Sequence, residues 1–283
     1  MGVSAAMVKA ALEFKRAGLF DGVQSVMEMG SQELHLEHAE FDHLMRAYGV
    51  AYDAAVFDTL KSWPGWPRLS SRHLWMALGA TTSHCLDING EHGAITCDLN
   101  EPFENREYWS RYDLVTDCGN NEHPFNVAEA YRTMHRLCKP GGLMWIDQAV
   151  IKGNGYFNFD QAFFEGMAAA NHYGVIYSAF VVTTADGSKY HMPCSRQVLD
   201  LFDFSKVIHL GVNYLFRKGG TDDFRFPVQG KPDPITPDQT YKVAYVDNRF
   251  PPERYYVPSG APENFGARTL ARELVKRLKQ KLF

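Results

Sequence analysis

The sequence predicts an α/β fold: a mostly parallel sheet with an antiparallel edge and helices on both faces. Two observations carry this. Short apolar, β-rich runs alternate with segments of helical periodicity, the pattern of βαβ units. The early runs also stop on or beside an acidic residue, and in open α/β sheets ligands bind outside the carboxyl ends of the strands.

The strand runs are SVMEM (25–29), HCLDI (84–88), AITCDL (94–99), YDLVTD (112–117) and GLMWID (142–147). Helical segments lie between several of them, notably 70–80 and 125–142. The second places Val127, Ala130, Met134 and Leu137 on one face, then meets Lys139, Pro140, Gly141 and Gly142, a basic last turn followed by helix breakers. A helix over 159–171, opened by Asn158 or Asp160, precedes a long strand at 174–184 and another at 209–219. The last two are expected to pair as the antiparallel edge.

Composition sets outer limits. Of 283 residues, 45% are apolar and 22% charged, an ordinary globular balance that argues against disorder. The net charge of −4 offers no electrostatic reason to bind nucleic acid or an anionic membrane. No apolar run reaches the roughly 18 residues of a membrane span. The first twenty residues lack a signal-peptide core and, with Ala6 in the sixth position, a myristoylation pattern. The five cysteines (Cys85, Cys97, Cys118, Cys138, Cys194) are odd in number and scattered, which reads as reduced thiols. A cytoplasmic protein without nucleic-acid or membrane partners is expected, its oligomeric state left open.

Three strand ends suggest a nucleoside pocket. The first run ends Glu28-Met29-Gly30-Ser31-Gln32, and a glycine there allows a tight turn with exposed N–H groups. A dinucleotide fingerprint needs two further glycines, where Gln32 and Leu34 or Glu33 stand instead; this counts against NAD. Asp87 is placed to accept both ribose hydroxyls, and Asp98 to accept from an adenine amine. A loop or N-cap aspartate is the competing reading of Asp87.

These features, with YDLVTDCGNNEH (112–123) and HRLCKPGGLMWI (135–146), resemble the class I S-adenosylmethionine-dependent methyltransferases over residues 20–218. The stretch 154–171 looks like that of bacterial small-molecule members. The resemblance implies a Rossmann-like methyltransferase sheet and S-adenosyl-L-methionine as cofactor. It assigns Glu28, Gly30, Ser31 and Gln32 to the first cofactor motif, Asp87 and Ile88 to the ribose side, and Asp98 and Leu99 to the adenine side. Asp117, Cys118 and Gly119 match the loop after the fourth strand. The chain departs from the family at Gln32 and Leu34. It also departs in the distance from Glu28 to Asp87, which far exceeds the roughly 20 residues of a simple βαβ unit.

The excess is read as a helical insertion at about 35–70, with Phe41, Leu44, Met45 and Tyr48 on one stripe. It is expected either to cover the crevice or to pack as an extra helix. Residues 1–219 then form the methyltransferase domain. Residues 220–283 form a Pro-rich extension ending in an amphipathic helix with Leu270, Leu274, Leu278 and Leu282 aligned.

Methyl transfer to a hydroxyl gains from a base. His123 is the leading candidate, with Glu122 as partner or rival and Asp147 as a second choice; a helix-capping role for the 121–123 run competes. Asn121, Tyr156, Phe157 and Phe159 are candidates to line the acceptor. The His35, His38 and His43 segment, rich in acids, invites a metal but lacks a matching second cluster, so no metal is expected. The expected activity is methyl transfer to an O or N atom of a small polar metabolite, such as a sugar or natural-product intermediate. A degenerate, non-catalytic binding protein and, further off, an NAD-dependent oxidoreductase are the alternatives.

Overall fold

The computed structural model describes residues 2–59, 62–63, 66–67, 69–184, 189–199, 204 and 207–228. The C-terminal amphipathic helix expected near 267–283, and most of the 220–283 extension, lie outside the described residues.

Eight strands form the main sheet: β1 (Ser25–Met29), β2 (Thr82–Asp87), β3 (Ile95–Thr96), β4 (Tyr112–Cys118), β5 (Cys138–Ile151), β6 (Gly174–Thr184), β7 (Lys189–Pro193) and β8 (Val207–Arg217). Their spatial order is β3-β2-β1-β4-β5-β8-β6-β7. Strands β3, β2, β1, β4 and β5 run parallel. Strand β8 inserts antiparallel between β5 and β6, and β7 closes the edge antiparallel to β6. The predicted antiparallel pair is therefore real, but β8 lies inside the sheet and the edge belongs to β7.

The helices that pack on the sheet include α1 (Ala5–Arg16), α2 (His38–Ala47), α3 (Arg72–Ala77), α4 (Val127–Leu137) and α5 (Gln161–Ala170). They cover both faces, which is why β1 and β4 are buried along nearly their whole length, the polar Glu28, Thr116 and Asp117 included, rather than alternately. On one face Phe14 of α1 and Trp75 of α3 pack edge-on against Trp145 of β5, at 5.3 and 6.0 Å. On the other, Tyr131 of α4 meets Phe164 of α5 at 6.0 Å, and Phe164 meets Tyr214 of β8 at 5.4 Å. Asp160, rather than Asn158, caps α5 by accepting from the Ala162 N–H at 2.9 Å, a standard N-cap bond.

Helix α4 stops at Leu137, ahead of the Lys-Pro-Gly-Gly breakers, and that run opens β5, where a register shift against β4 absorbs it and Gly141 takes φ +76°. The helix end is completed by a distant residue, because the buried Lys218 ammonium donates to the His135 and Cys138 carbonyls at 2.7 and 3.0 Å. The stretch between β1 and β2 holds α2, a 3₁₀ turn at Ala54–Thr59 and α3. Helix α2 leans on α1, with Tyr48 hydrogen-bonded to Glu13 and its ring under Arg16.

Candidate active site at the carboxyl edge of the sheet

Connections from β1 lead toward β2 and β3, whereas β4 and β5 lie on its other side, so strand order reverses between β1 and β4. That gap is the expected ligand crevice of an open α/β sheet. Gly30 leaves β1 at φ +85°, its N–H bonded to the Leu86 carbonyl at 2.8 Å. A Cβ there would stand 2.5 Å from Asn120 Oδ1, so glycine is required by conformation and by contact alike. Ser31 gives both its N–H (2.8 Å) and its hydroxyl (2.9 Å) to Asp87 Oδ2, while Asp87 Oδ1 accepts from the Asn89 N–H at 3.1 Å. Asp87 thus clamps the loop after β1 to the end of β2.

Gln32 is fully buried. Its side-chain amide crosses the β1–β4 gap, donating to the Met29 carbonyl at 3.0 Å and to the Thr116 carbonyl at 3.4 Å. Its Oε1 has no partner. Gln32 is therefore the residue that bridges the switch point.

Glu28 is not turned toward this crevice. Its carboxylate accepts from Trp75 Nε1 at 2.7 Å and from the Ser71 hydroxyl, both at α3 or its cap. Burial raises its pKa to about 7 against those two bonds. Ser71 also gives its N–H to the Gln32 carbonyl at 3.1 Å, so Glu28 supports the loop through Ser71. Asp98 is exposed, turned back on Asn100 N (2.9 Å) and Nδ2 (2.8 Å), which hold its carboxyl below the usual range. Asn100 in turn fixes Asn126 at the start of α4. Leu99 is buried, whereas Ile88, directly after Asp87, is 69% exposed. The three acids predicted to converge thus do different things, and only Asp87 sits at the crevice mouth.

After β4, Asp117 is fully buried and holds the loop from inside. It accepts from the Asn120 and Asn121 N–H groups (3.2 and 3.0 Å), Tyr131 OH (3.1 Å) and Gln148 Nε2 (2.7 Å). Burial still pushes it up to about 6. Cys118 beside it is buried too, its thiol driven well up by burial and by the surrounding Asp147, Asp117 and Glu28 carboxylates. Gly119 turns the chain at φ +69°. Asn121 is fully buried and its Nδ2 has no partner.

The turn then presents Glu122 and His123. Glu122 is buried, its Oε2 3.4 Å from the Ala149 N–H; His123 Nε2 lies 3.7 Å from Glu122 Oε1, with the imidazole 38% exposed. Helix α4 has Asn126 in its N-cap position, so the 121–123 run precedes the cap. Asp147 is half-buried at the end of the β4–β5 ladder and accepts from Asn213 Nδ2 at 3.3 Å.

The loop after β5 docks on this turn, Phe157 N–H to the Glu122 carbonyl at 3.2 Å. It carries Tyr156, 74% exposed, edge-on to Phe125 at 5.8 Å; Phe125 is 76% exposed and went unnoticed in the sequence. Phe157 is half-buried beside them. Phe159 belongs to the core, packed on Tyr131, Phe163 and Phe164, and does not line the crevice.

The histidine-rich segment disperses. His38 stacks on Phe57 at 4.0 Å and meets Tyr52 OH at 3.0 Å, while His35 lies 3.6 Å from Glu33. Among the described residues Glu33, Glu91 and His92 bring ligand atoms within 4.8 Å of one another, linking the loops after β1 and β2. No helix among them is long and apolar enough to cross a membrane.

No protein-family model matches the chain, and no curated protein does. Solved structures of similar architecture include a SAM-dependent methyltransferase from Archaeoglobus fulgidus, 13% identical with a TM-score of 0.39, covering 76% of this chain and 94% of that one. Another is the Burkholderia thailandensis 1,6-didemethyltoxoflavin-N1-methyltransferase, solved with 1,6-didemethyltoxoflavin and S-adenosylhomocysteine. It is 13% identical with a TM-score of 0.37, over 75% of this chain and 78% of its own. The Bacillus subtilis YcgJ protein is 10% identical with a TM-score of 0.41, over 75% and 99%. At these levels the likeness bears on neither substrate nor residue roles.

Proposed function

We propose that this chain is an S-adenosylmethionine-dependent methyltransferase acting on an O or N atom of a small polar metabolite. The observation that carries the reading is the clamped turn at the carboxyl ends of β1 and β2: Gly30 in a left-handed conformation, held through Ser31 to Asp87. The residues there fit the cofactor. Asp87 keeps lone pairs for hydroxyl donors, the exposed Ile88 beside it offers an apolar face for a base, and Gln32 Oε1 is a buried acceptor lacking a donor.

Bound there, the cofactor supplies a methyl group on a sulfonium whose departing thioether needs no acid. The chain's own task is alignment and exclusion of water, worth up to about 7–11 kcal/mol in favourable cases. His123, half-exposed with Glu122 behind it, is the group to take a proton from the acceptor; Asp147 is the second candidate. Asn121, Tyr156 and Phe157 stand on the acceptor side. Residues 1–219 would constitute the catalytic domain, with the segment near 35–70 as an insertion.

One observation favours a second reading, a catalytically degenerate binding protein: Gln32 fills a glycine position and caps strand-end carbonyls itself. Calorimetric titration with S-adenosylhomocysteine and, separately, NAD tests the first reading. It requires micromolar binding of the former and none of the latter. Nicotinamide preference, or no adenosyl ligand bound at all, overturns it.

A further inference from the structure

The turn after β2 takes positive φ at Gly90, His92 and Gly93, at +66°, +56° and +74°, a region that residues with a Cβ adopt sparingly. It sets the His92 imidazole against the loop after β1, with Nε2 3.4 Å from Glu33 Oε1. The Glu33 backbone is fixed from two sides, paired with Gly2 and bridged to Ser70. The Glu91 carboxylate completes a group whose ligand atoms all lie within 4.8 Å of one another.

His92 Nε2 is buried and makes no hydrogen bond. A proton on that atom would be donated to Glu33 at roughly 2.7–2.9 Å. A bare Nε2 at this place would turn its lone pair on a carboxylate. A cation between the two groups resolves both difficulties. Zinc takes imidazole nitrogen at about 2.0–2.1 Å and carboxylate oxygen at about 2.0–2.2 Å, so two of its tetrahedral ligands stand about 3.4 Å apart. The separation of His92 from Glu33 matches that value.

We propose that Glu33, Glu91 and His92 bind a divalent transition-metal ion of the zinc class. Three protein ligands leave a fourth position for water. The nitrogen donor selects such an ion over magnesium or calcium, which take oxygen. The ion staples the loop after β1 to the turn after β2, beside Asn89, whose side-chain amide donates to Ser31 Oγ at 2.9 Å. Metal and Asp87 thus hold the same two loops, and the site requires no bound adenosyl ligand. Its ligands come from loops far apart in the chain, so no metal spacing shows in the sequence.

The full chain, stripped with EDTA and dialysed, is titrated with zinc chloride by calorimetry. Wild type binds one ion per chain in its tightest step. His92→Ala and Glu91→Gln each weaken that step by more than the roughly 10–100-fold that changes around a metal's ligands cost. His43→Ala, at an exposed histidine of the dispersed segment, leaves it within about twofold. Zinc raises the thermal midpoint of wild type and His43→Ala with concentration, as a ligand of the folded state must, and magnesium chloride does not. Melts without zinc identify a variant that fails to fold, in which case the other carries the test. Zinc affinity unchanged in a folded His92→Ala or Glu91→Gln overturns the site, as does an equal response to magnesium. Absence of zinc binding in wild type also overturns it, and leaves His92 as the ion-pair partner of Glu33.

Discussion

Asp87 receives both the backbone N–H and the hydroxyl of Ser31, at 2.8 and 2.9 Å, across 56 positions of sequence. One carboxylate at the end of β2 therefore sets the conformation of the turn that leaves β1. Asp87→Ala should lower stability by about 1–3 kcal/mol, the cost of leaving buried donors unpaired, and should abolish adenosyl-ligand binding. Urea unfolding and calorimetry check the two effects. Unaltered ligand affinity in the folded variant would contradict Asp87's place at the crevice.

Glu28 makes a pH prediction whose sign is fixed by its burial. Its folded pKa is raised from 4.5 to about 7, so between those values the folded protein binds more protons than the unfolded chain. Its contribution then declines as pH rises through that window and is flat outside it. Glu28→Gln should remove that slope. Urea midpoints of both proteins at pH 5 and pH 7.5 would show the difference shrinking or reversing; parallel shifts would contradict it.

His123 and Asp147 are separated by kinetics. With the acceptor in hand, His123→Ala should cut kcat by about 10²–10⁴-fold, the usual range for a lost base, while S-adenosylhomocysteine affinity holds. Asp147→Asn giving that loss, with His123→Ala active, would move the role to Asp147. Glu122 is a poorer probe, because its carbonyl and carboxylate also hold the 153–157 loop and the Ala149 N–H.

Phe159 and Tyr156, three residues apart, should behave oppositely. Phe159 is buried among Tyr131, Phe163 and Phe164, and its truncation to Ala should cost about 3–5 kcal/mol. Tyr156→Ala, at a side chain 74% exposed, should leave the unfolding midpoint nearly unchanged and raise KM for the acceptor. A destabilised Tyr156 variant would show that ring to be structural.

What was legible in the sequence follows the range of the force involved. SVMEM and the 174–184 run coincide with β1 and β6, because a short, mostly apolar run declares a buried strand whatever surrounds it. The stripe of α4 was visible for the same reason. The edge strand β7 and helix α1 went unread: the first depends on pairing with β6, and Phe14 declares itself only against Trp145 and Tyr177. Within the site, residue types at strand ends were readable, but not which groups engage them. Nothing local tells that Glu28 faces Ser71 and Trp75 while Asp87 faces Ser31. Gln32 was noticed as a missing glycine; its bridge from Met29 to Thr116 exists only once β1 and β4 are neighbours.

The central claim is that the β1–β4 crevice holds an adenosyl methyl donor. A crystal structure grown with S-adenosylhomocysteine tests it most directly. The account predicts the ribose hydroxyls on Asp87 and the base against Ile88. Density for the ligand at any other place, or a crevice closed by Gln32 at saturating ligand, would contradict it.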